Sequence, residues 1–243
     1  MAGHAPGHGD FRLRTDDVVE SVVGAGTLAR LLVGLPRIEV RVTDLPAGRE
    51  IAAFLRTRTF AISYHRIAQG VLCLPDRPAD YLRGRSRQAV RTNLHKADAA
   101  RLQCRAVVDR DERRDIATAL GMGTEATALA DERDDVVWAA IGPGEESLGL
   151  LWATVDAEWA MLRNLSARPA EARYLLHTAL VRHLYCRGVR YLFAQGGNAL
   201  SLAPGLQYFQ KLLGYRVANL RAPSAGQLPR SVPRGGAPRF RLV

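Results

Sequence analysis

The sequence is nearly without lysine: among its 34 basic residues only Lys96 and Lys211 are lysines, so arginine carries the positive charge. Cysteine is scarce too. Cys73, Cys104 and Cys186 lie far apart with no CxxC spacing and no paired histidine, which signals neither a disulfide framework nor a zinc site and makes a reducing cytoplasm the expected setting. No long apolar run is present. The longest uncharged stretch, Tyr191 to Gln210, is interrupted by Gly196, Gly197, Asn198, Pro204 and Gly205, which a spanning helix of about 20 apolar residues would not tolerate. The opening MAGHAPGHGDFRLRTDD lacks the apolar core of a secretion signal, so export by that route is not expected. With only 12 prolines, 47% hydrophobic and 24% charged residues, the 243-residue chain can bury enough apolar surface to offset its ordering entropy. Fibrous and disordered classes are excluded, and one large domain or one domain plus a fragment is expected.

The net charge of +10 is concentrated in two places. Between Tyr81 and Arg105 stand Arg83, Arg85, Arg87, Arg91, Lys96, Arg101 and Arg105 against Asp98 alone. After Arg221 come Arg230, Arg234, Arg239 and Arg241 with no acid, and the rest of the chain balances at 23 basic and 23 acidic residues. That placement points to a polyanionic partner. Arg83, Arg87, Arg91 and His95 recur every four residues, a stripe on one side of a helix whose Val90, Leu94 and Ala97 would face the core. Guanidinium forks in such a row suit phosphate, although a general arginine bias of the composition would give the same count.

Periodicity predicts helices over Asp16–Leu35, Ala47–Arg58, Asp80–Ala100, Asp111–Ala130, Pro169–Arg187 and Gly205–Leu213. Strands are expected over Ile38–Val42, Leu102–Asp109, Val136–Ile141, Leu148–Asp156, Glu158–Leu165, Tyr191–Ala194 and Tyr215–Leu220, with Phe60–Leu74 extended and broken near Gln69-Gly70. Pro169 at a first helical position and Gly188 at a C-cap mark both ends of the longest helix of the second half. The expected organisation is a lead-in subdomain over 1–78, a main domain over 79–221 and a basic flexible tail over 222–243. From residue 102 onward the order reads β-α-β-β-β-α-β-α-β.

This order resembles the GNAT-fold acyltransferases, an α/β (α+β) architecture with a mixed central sheet flanked by helices. RQAVRTNLHKADAARLQCRAV (Arg87–Val107), YLFAQGG (Tyr191–Gly197) and GLQYFQKLLGY (Gly205–Tyr215) resemble the basic helix, closing strand and last helix of the Fem-type aminoacyltransferases. In GNAT enzymes that use acyl-CoA, a glycine-rich loop opens the crossover helix so that free N–H groups hold the pyrophosphate. Here that run is Arg168-Pro169-Ala170-Glu171-Ala172-Arg173, with a carboxylate among the phosphate positions. The tyrosine that often acts as general acid there falls at Gln210. Fem-type enzymes commonly have an acid where Leu192 stands and a lysine where Gln210 stands, and they usually carry two such domains.

The resemblance implies a direct transfer in which backbone N–H groups near Asn164, Leu165 and Ser166 bind the acyl carbonyl. Asn164, Ser166 and Tyr208 are its expected catalytic residues, and Gln195, Asn198, Gln210 and Lys211 its expected substrate-binding residues. Arg83, Arg85, Arg87, Arg91, Lys96 and Arg101 are expected to bind nucleic acid. His65, His95, His177 and His183 read more simply as packed or exposed histidines, and Glu125, Asp131 and Glu158 are carboxylates that nothing in the sequence brings to a cleft. The leading expectation is a cytoplasmic transferase that moves an aminoacyl group from aminoacyl-tRNA to an amine of a small molecule or peptide, with no cofactor or metal. Two alternatives stay open: an acyl-CoA-dependent N-acyltransferase, with Arg168 and Arg173 on the phosphates, and a noncatalytic module that binds RNA or protein.

Overall fold

The computed structural model describes residues 32–58, 64–123, 136–223 and 228–232. The chain divides into two compact units, Met1–Leu35 and Pro36–Val243, and the second carries every strand and helix discussed below. The expected helix over Asp16–Leu35 lies almost wholly outside the described residues, as do Glu125, Asp131, Arg234, Arg239 and Arg241.

Among the described residues, eight strands form one mixed sheet: β1 (Arg37–Glu39), β2 (Gln69–Cys73), β3 (Gln103–Ala106), β4 (Val136–Ile141), β5 (Ser147–Asp156), β6 (Trp159–Ala167), β7 (Tyr191–Asn198) and β8 (Arg216–Arg221). Their order across the sheet is β1-β8-β2-β7-β6-β5-β4-β3. β1 runs parallel to β8 and β6 parallel to β7, while the other neighbours are antiparallel. The helices are α1 (Pro46–Arg56), α2 (Gln88–Ala99), α3 (Arg110–Ala119), α4 (Ala170–Cys186) and α5 (Pro204–Leu213).

The central strands read as near-continuous apolar runs because helices cover both faces, and successive side chains go to opposite sides. Leu151, Ala153, Ala160, Leu162 and Leu192 pack beneath α4. Val137, Ala139, Leu150 and Trp152 pack against Ile116 and Ala117 of α3, and Val71, Trp159, Met161 and Phe193 against Ile51, Ala52 and Leu55 of α1. α4 itself is buried on two sides, between the sheet and α2. Its Ala172, Leu176, Leu180 and Leu184 form one stripe, and Thr178 and Val181 are buried beside it, so the helix shows little contrast between faces.

Residues 36–78 contribute β1 and β2 to the same sheet and α1 to its cover. A buried carboxylate ties them to the meander: Asp156 accepts from the Thr43 N–H at 2.6 Å and from the Thr43 hydroxyl at 2.7 Å.

Several boundaries differ from expectation. The helix expected over Asp80–Ala100 begins only at Gln88, after short 3-10 turns at Pro78–Leu82 and Arg85–Arg87, because Gly84 at φ +87° takes a left-handed conformation that breaks the helical path. β1 covers only Arg37–Glu39, and of Phe60–Leu74 the strand is Gln69–Cys73. β7 continues past Ala194 to Asn198, for a reason that concerns the site.

Leu180→Ala, at a fully buried position, should lower stability by about 2–5 kcal/mol, whereas Leu206→Ala on the exposed side of α5 should stay within about 0.5 kcal/mol. Urea unfolding of the two variants checks this; equal losses would contradict the assigned core.

Candidate functional site

β6 and β7 begin as parallel partners and then part. Their register runs from Trp159↔Tyr191 to Leu162↔Ala194 and stops there. Two irregularities force the separation. On β6, Trp152 faces Asn164 while Ala153 faces Leu162, so Arg163 is an extra residue, a bulge that bends the strand. Its side chain crosses to the α1 face, where it pairs with Glu50. On β7, Val71 of β2 pairs with Phe193 but Gln69 pairs with Asn198, leaving Ala194–Gly197 opposite Gly70 alone. The Gln69 side chain, wholly buried, donates to the Ala194 carbonyl inside that swelling. Beyond Leu162 the β7-facing edge of β6 therefore has no strand partner among the described residues. Its backbone groups face a gap.

α5 roofs the gap and α4 flanks it. The resulting notch is a cavity of about 240 Å³, with Leu162–Leu165 on one wall, Ala194 and Gly196 on the other, Arg173 and His177 from α4, and Leu206, Phe209, Gln210 and Leu213 from α5. A second groove of about 400 Å³ lies on the other side of α5, between Tyr208, Gln210 and Lys211 and the backbone of Gly70 and Ala199. Gln210 and Tyr215 belong to both walls, so they form the partition between the two spaces. The Gln210 amide lies close against two glycines. A Cβ on Gly70 would stand 2.5 Å from its Oε1, and one on Gly197 would stand 2.9 Å from its Nε2.

Of the residues singled out in the sequence, Asn164 and Gln210 stand on the notch, and the buried Asn164 Nδ2 has no hydrogen-bond partner among the described residues. Tyr208 and Lys211 are exposed and line the groove. Ser166 and Gln195 are half-buried and border neither space; Ser166 sits opposite Leu150, toward α3. Asn198 is buried with its amide fully engaged: Nδ2 donates to the carbonyls of Tyr64 (2.9 Å) and Ile67 (2.7 Å), and Oδ1 accepts from the Leu200 N–H (2.8 Å). It shapes the loop after β7 and leaves no amide group for a substrate.

The arginine stripe also divides. Arg87 turns inward, donating to the carbonyls of Tyr81 (3.2 Å) and Leu212 (3.1 Å) with its guanidinium 5.3 Å above the Tyr81 ring. Arg91 donates to the carbonyls of Leu82 (2.6 Å) and Gly84 (2.9 Å). Arg87 thus clamps the segment before α2 to the end of α5, where Gly214 at φ +87° leaves room for it, and Arg91 ties α2 to that same segment. Arg83, paired with Asp80, and Arg85, Lys96 and Arg101 are exposed, before, along and just after α2.

The structure also holds a buried chain whose three members no spacing in the sequence brings together. Tyr81 Oη lies 3.1 Å from His177 Nδ1, and His177 Nε2 lies 3.0 Å from Tyr215 Oη. Burial drives the His177 pKa down to about 3, with the nearby Arg87 charge acting in the same direction, so the ring is neutral. Burial raises the Tyr215 hydroxyl well above its ordinary value. It also pushes the Cys73 thiol up to about 11 and Cys104 up to about 12, which removes both as nucleophiles near neutral pH. Among the described residues no group of His, Cys, Asp and Glu side chains could hold a metal ion, and no helix is long and apolar enough to cross a membrane.

A meander (β4–β6), a crossover helix (α4), a parallel strand that parts from its neighbour and a roofing helix together decide the architecture. The fold is GNAT-like. No protein-family model and no curated protein matches the sequence. Similar solved structures include L-PGS from Bacillus licheniformis, at 9% identity and TM-score 0.45, covering 62% of this chain and 57% of that one. The C-terminal domain of a putative lysylphosphatidylglycerol synthetase from Agrobacterium fabrum is similar at 15% identity and TM-score 0.46, covering 84% and 70%. A tandem GNAT protein from the clavulanic acid biosynthesis pathway is similar at 14% and 0.38, covering 86% and 69%. The chain thus spans little more than half the length of the first of these. Likenesses so loose do not carry over a substrate or a partner.

Two outcomes are expected. Gly70→Ala should lower stability by about 1 kcal/mol or less, because the atom 2.5 Å away ends a flexible side chain and the Gly197 carbonyl oxygen, at 3.2 Å, has only a little to yield, yet it should shift the Gln210 side-chain amide resonances; unchanged resonances would mean the amide is not held there. His177, depressed in the folded state, contributes stability that is present above its unfolded pKa of 6.5 and is lost as pH falls toward about 3, at up to about 1.4 kcal/mol per unit. The stability gap between wild type and His177→Gln should therefore narrow from about pH 7 to about pH 4 in urea titrations. A constant gap would mean the ring protonates in place.

Proposed function

We propose that the protein is an acyltransferase that forms an amide by direct attack of an amine on an activated acyl group held in the notch between β6 and β7. The observation that carries this reading is the parting of the two parallel strands at the Arg163 bulge, which exposes an unpaired backbone edge to a roofed cavity. Backbone N–H groups fixed in that edge are preorganised donors for a developing oxyanion. An ester or thioester is already activated, so alignment of the amine and proton handling are the remaining tasks, and no covalent enzyme intermediate is needed.

The donor we favour is aminoacyl-tRNA. Supporting it are the exposed Arg83, Arg85, Lys96 and Arg101 around α2, and the opening of α4 by Pro169, Ala170 and Glu171, which offers no glycine loop for a pyrophosphate. The +10 net charge agrees with a polyanionic partner. The acceptor is an amine small enough to reach the partition from the Tyr208–Lys211 groove. One observation favours acyl-CoA instead: Arg173 lines the notch, and Arg168 is exposed just before α4.

Incubation with a mixture of charged tRNAs should give amine-dependent deacylation that ribonuclease abolishes, and Arg85→Glu with Arg101→Glu should weaken tRNA retention with a shallower salt dependence. Calorimetry with coenzyme A is the counter-test. Tight coenzyme binding, with indifference to tRNA, would replace the donor and leave the transfer reaction in place.

A further inference from the structure

We infer that Tyr215 is the proton-handling group of the notch, with His177 and Tyr81 behind it as positioning residues that let its hydroxyl both accept and give a hydrogen. The inference rests on the acyl-transfer reading, but its structural half stands alone. Tyr215 lies on the partition between notch and groove, where an amine approaching from one side would meet an acyl group held on the other. Its hydroxyl is 3.0 Å from His177 Nε2, on a ring that itself lines the notch.

A neutral imidazole carries one N–H, so one ring nitrogen donates and the other accepts. The partners allow both arrangements. In the first, Tyr81 donates to the Leu213 carbonyl at 3.4 Å, accepts from Nδ1–H, and Nε2 accepts the Tyr215 hydrogen. In the second, Tyr81 donates to Nδ1, and Nε2–H donates to the Tyr215 oxygen, which frees the Tyr215 hydrogen for the notch. Among the described residues that line the notch with Tyr215 and His177, the other polar side chains are the amides of Asn164 and Gln210, which do not serve as proton carriers, and the guanidinium groups of Arg163 and Arg173, which donate but have no acceptor atom.

The transfer then balances without a buried charge. The new C–N bond forms as the ester C–O bond, or thioester C–S bond, breaks. The proton released by the attacking amine goes to the Tyr215 oxygen, and the hydrogen Tyr215 carried goes to the departing oxygen or sulfur. The hydroxyl is neutral before and after, as its burial requires. Tyr81 lines neither cavity; its part is to hold the imidazole, with the Arg87 guanidinium over its own ring.

Two measurements on the full chain test this. The ring nitrogen shifts of 15N-labelled His177 should show the Nε2–H tautomer, alone or exchanging with the other. A ring fixed as Nδ1–H alone would overturn the proposal, because the Tyr215 hydrogen would then be committed to Nε2. In the transfer assay, Tyr215→Phe should lower kcat by about 10²-fold or more with KM changed less than about threefold, and Tyr81→Phe should lower kcat by a smaller factor. If wild type transfers and Tyr215→Phe keeps a kcat within about threefold of it, Tyr215 is not the proton carrier although the transfer reading survives. If wild type transfers from neither charged tRNA nor acyl-CoA, the transfer reading fails and with it the catalytic role, while the nitrogen shifts still decide the hydrogen-bond arrangement.

Discussion

A backbone N–H or carbonyl removed from water needs a partner, and the ladder between β6 and β7 supplies none beyond Leu162. Everything notable about the middle of this molecule answers that constraint. The Arg163 bulge bends one strand away; four residues of β7 swell opposite Gly70, and the buried Gln69 amide takes up a carbonyl the swelling would orphan. α5 then roofs what is left, and the Gln210 amide lies across the two glycines that leave it space. A sheet with full pairing at this point would have no cavity.

The arginines illustrate how one residue type serves two purposes. A guanidinium presents several donors in a plane, which fits converging carbonyls as well as it fits phosphate. Arg87 and Arg91 meet carbonyls at the breaks before α2 and after α5, where helix ends leave acceptors unpaired. The remaining basic groups near α2 face solvent, so any polyanion would meet a looser arrangement than a straight row. Lysine, a point charge on a flexible stem, would not bridge those carbonyls in the same way.

Much of the architecture is legible in the sequence because local rules suffice for it. Val136–Ile141 is a strand with the expected bounds, and Pro169 and Gly188 mark the ends of α4 one residue outside the expected positions, Pro169 as the N-cap and Gly188 after the C-cap Arg187. What local rules miss is decided at a distance. Whether Arg87 points outward depends on the Leu212 carbonyl, 125 residues away, and on the absence of a side chain at Gly214. The Tyr81–His177–Tyr215 chain joins three elements separated by 96 and 38 residues, and no spacing rule pairs them. Asn198 looks like loop polarity available to a ligand until its amide is seen to hold Tyr64, Ile67 and Leu200. Gly70 gave a partial signal: the break in extended structure near it is the place where β7 swells.

The partition formed by Gln210 and Tyr215 separates two chambers that otherwise share no lining residue. One draws on β6, α4 and one side of α5, the other on Gly70, the loop after β7 and the other side of α5. Natural variation can therefore remodel the lining of either chamber without touching its neighbour. A scaffold divided in this way can exchange one occupant at a time, and its descendants can drift toward new pairings by single, separable changes.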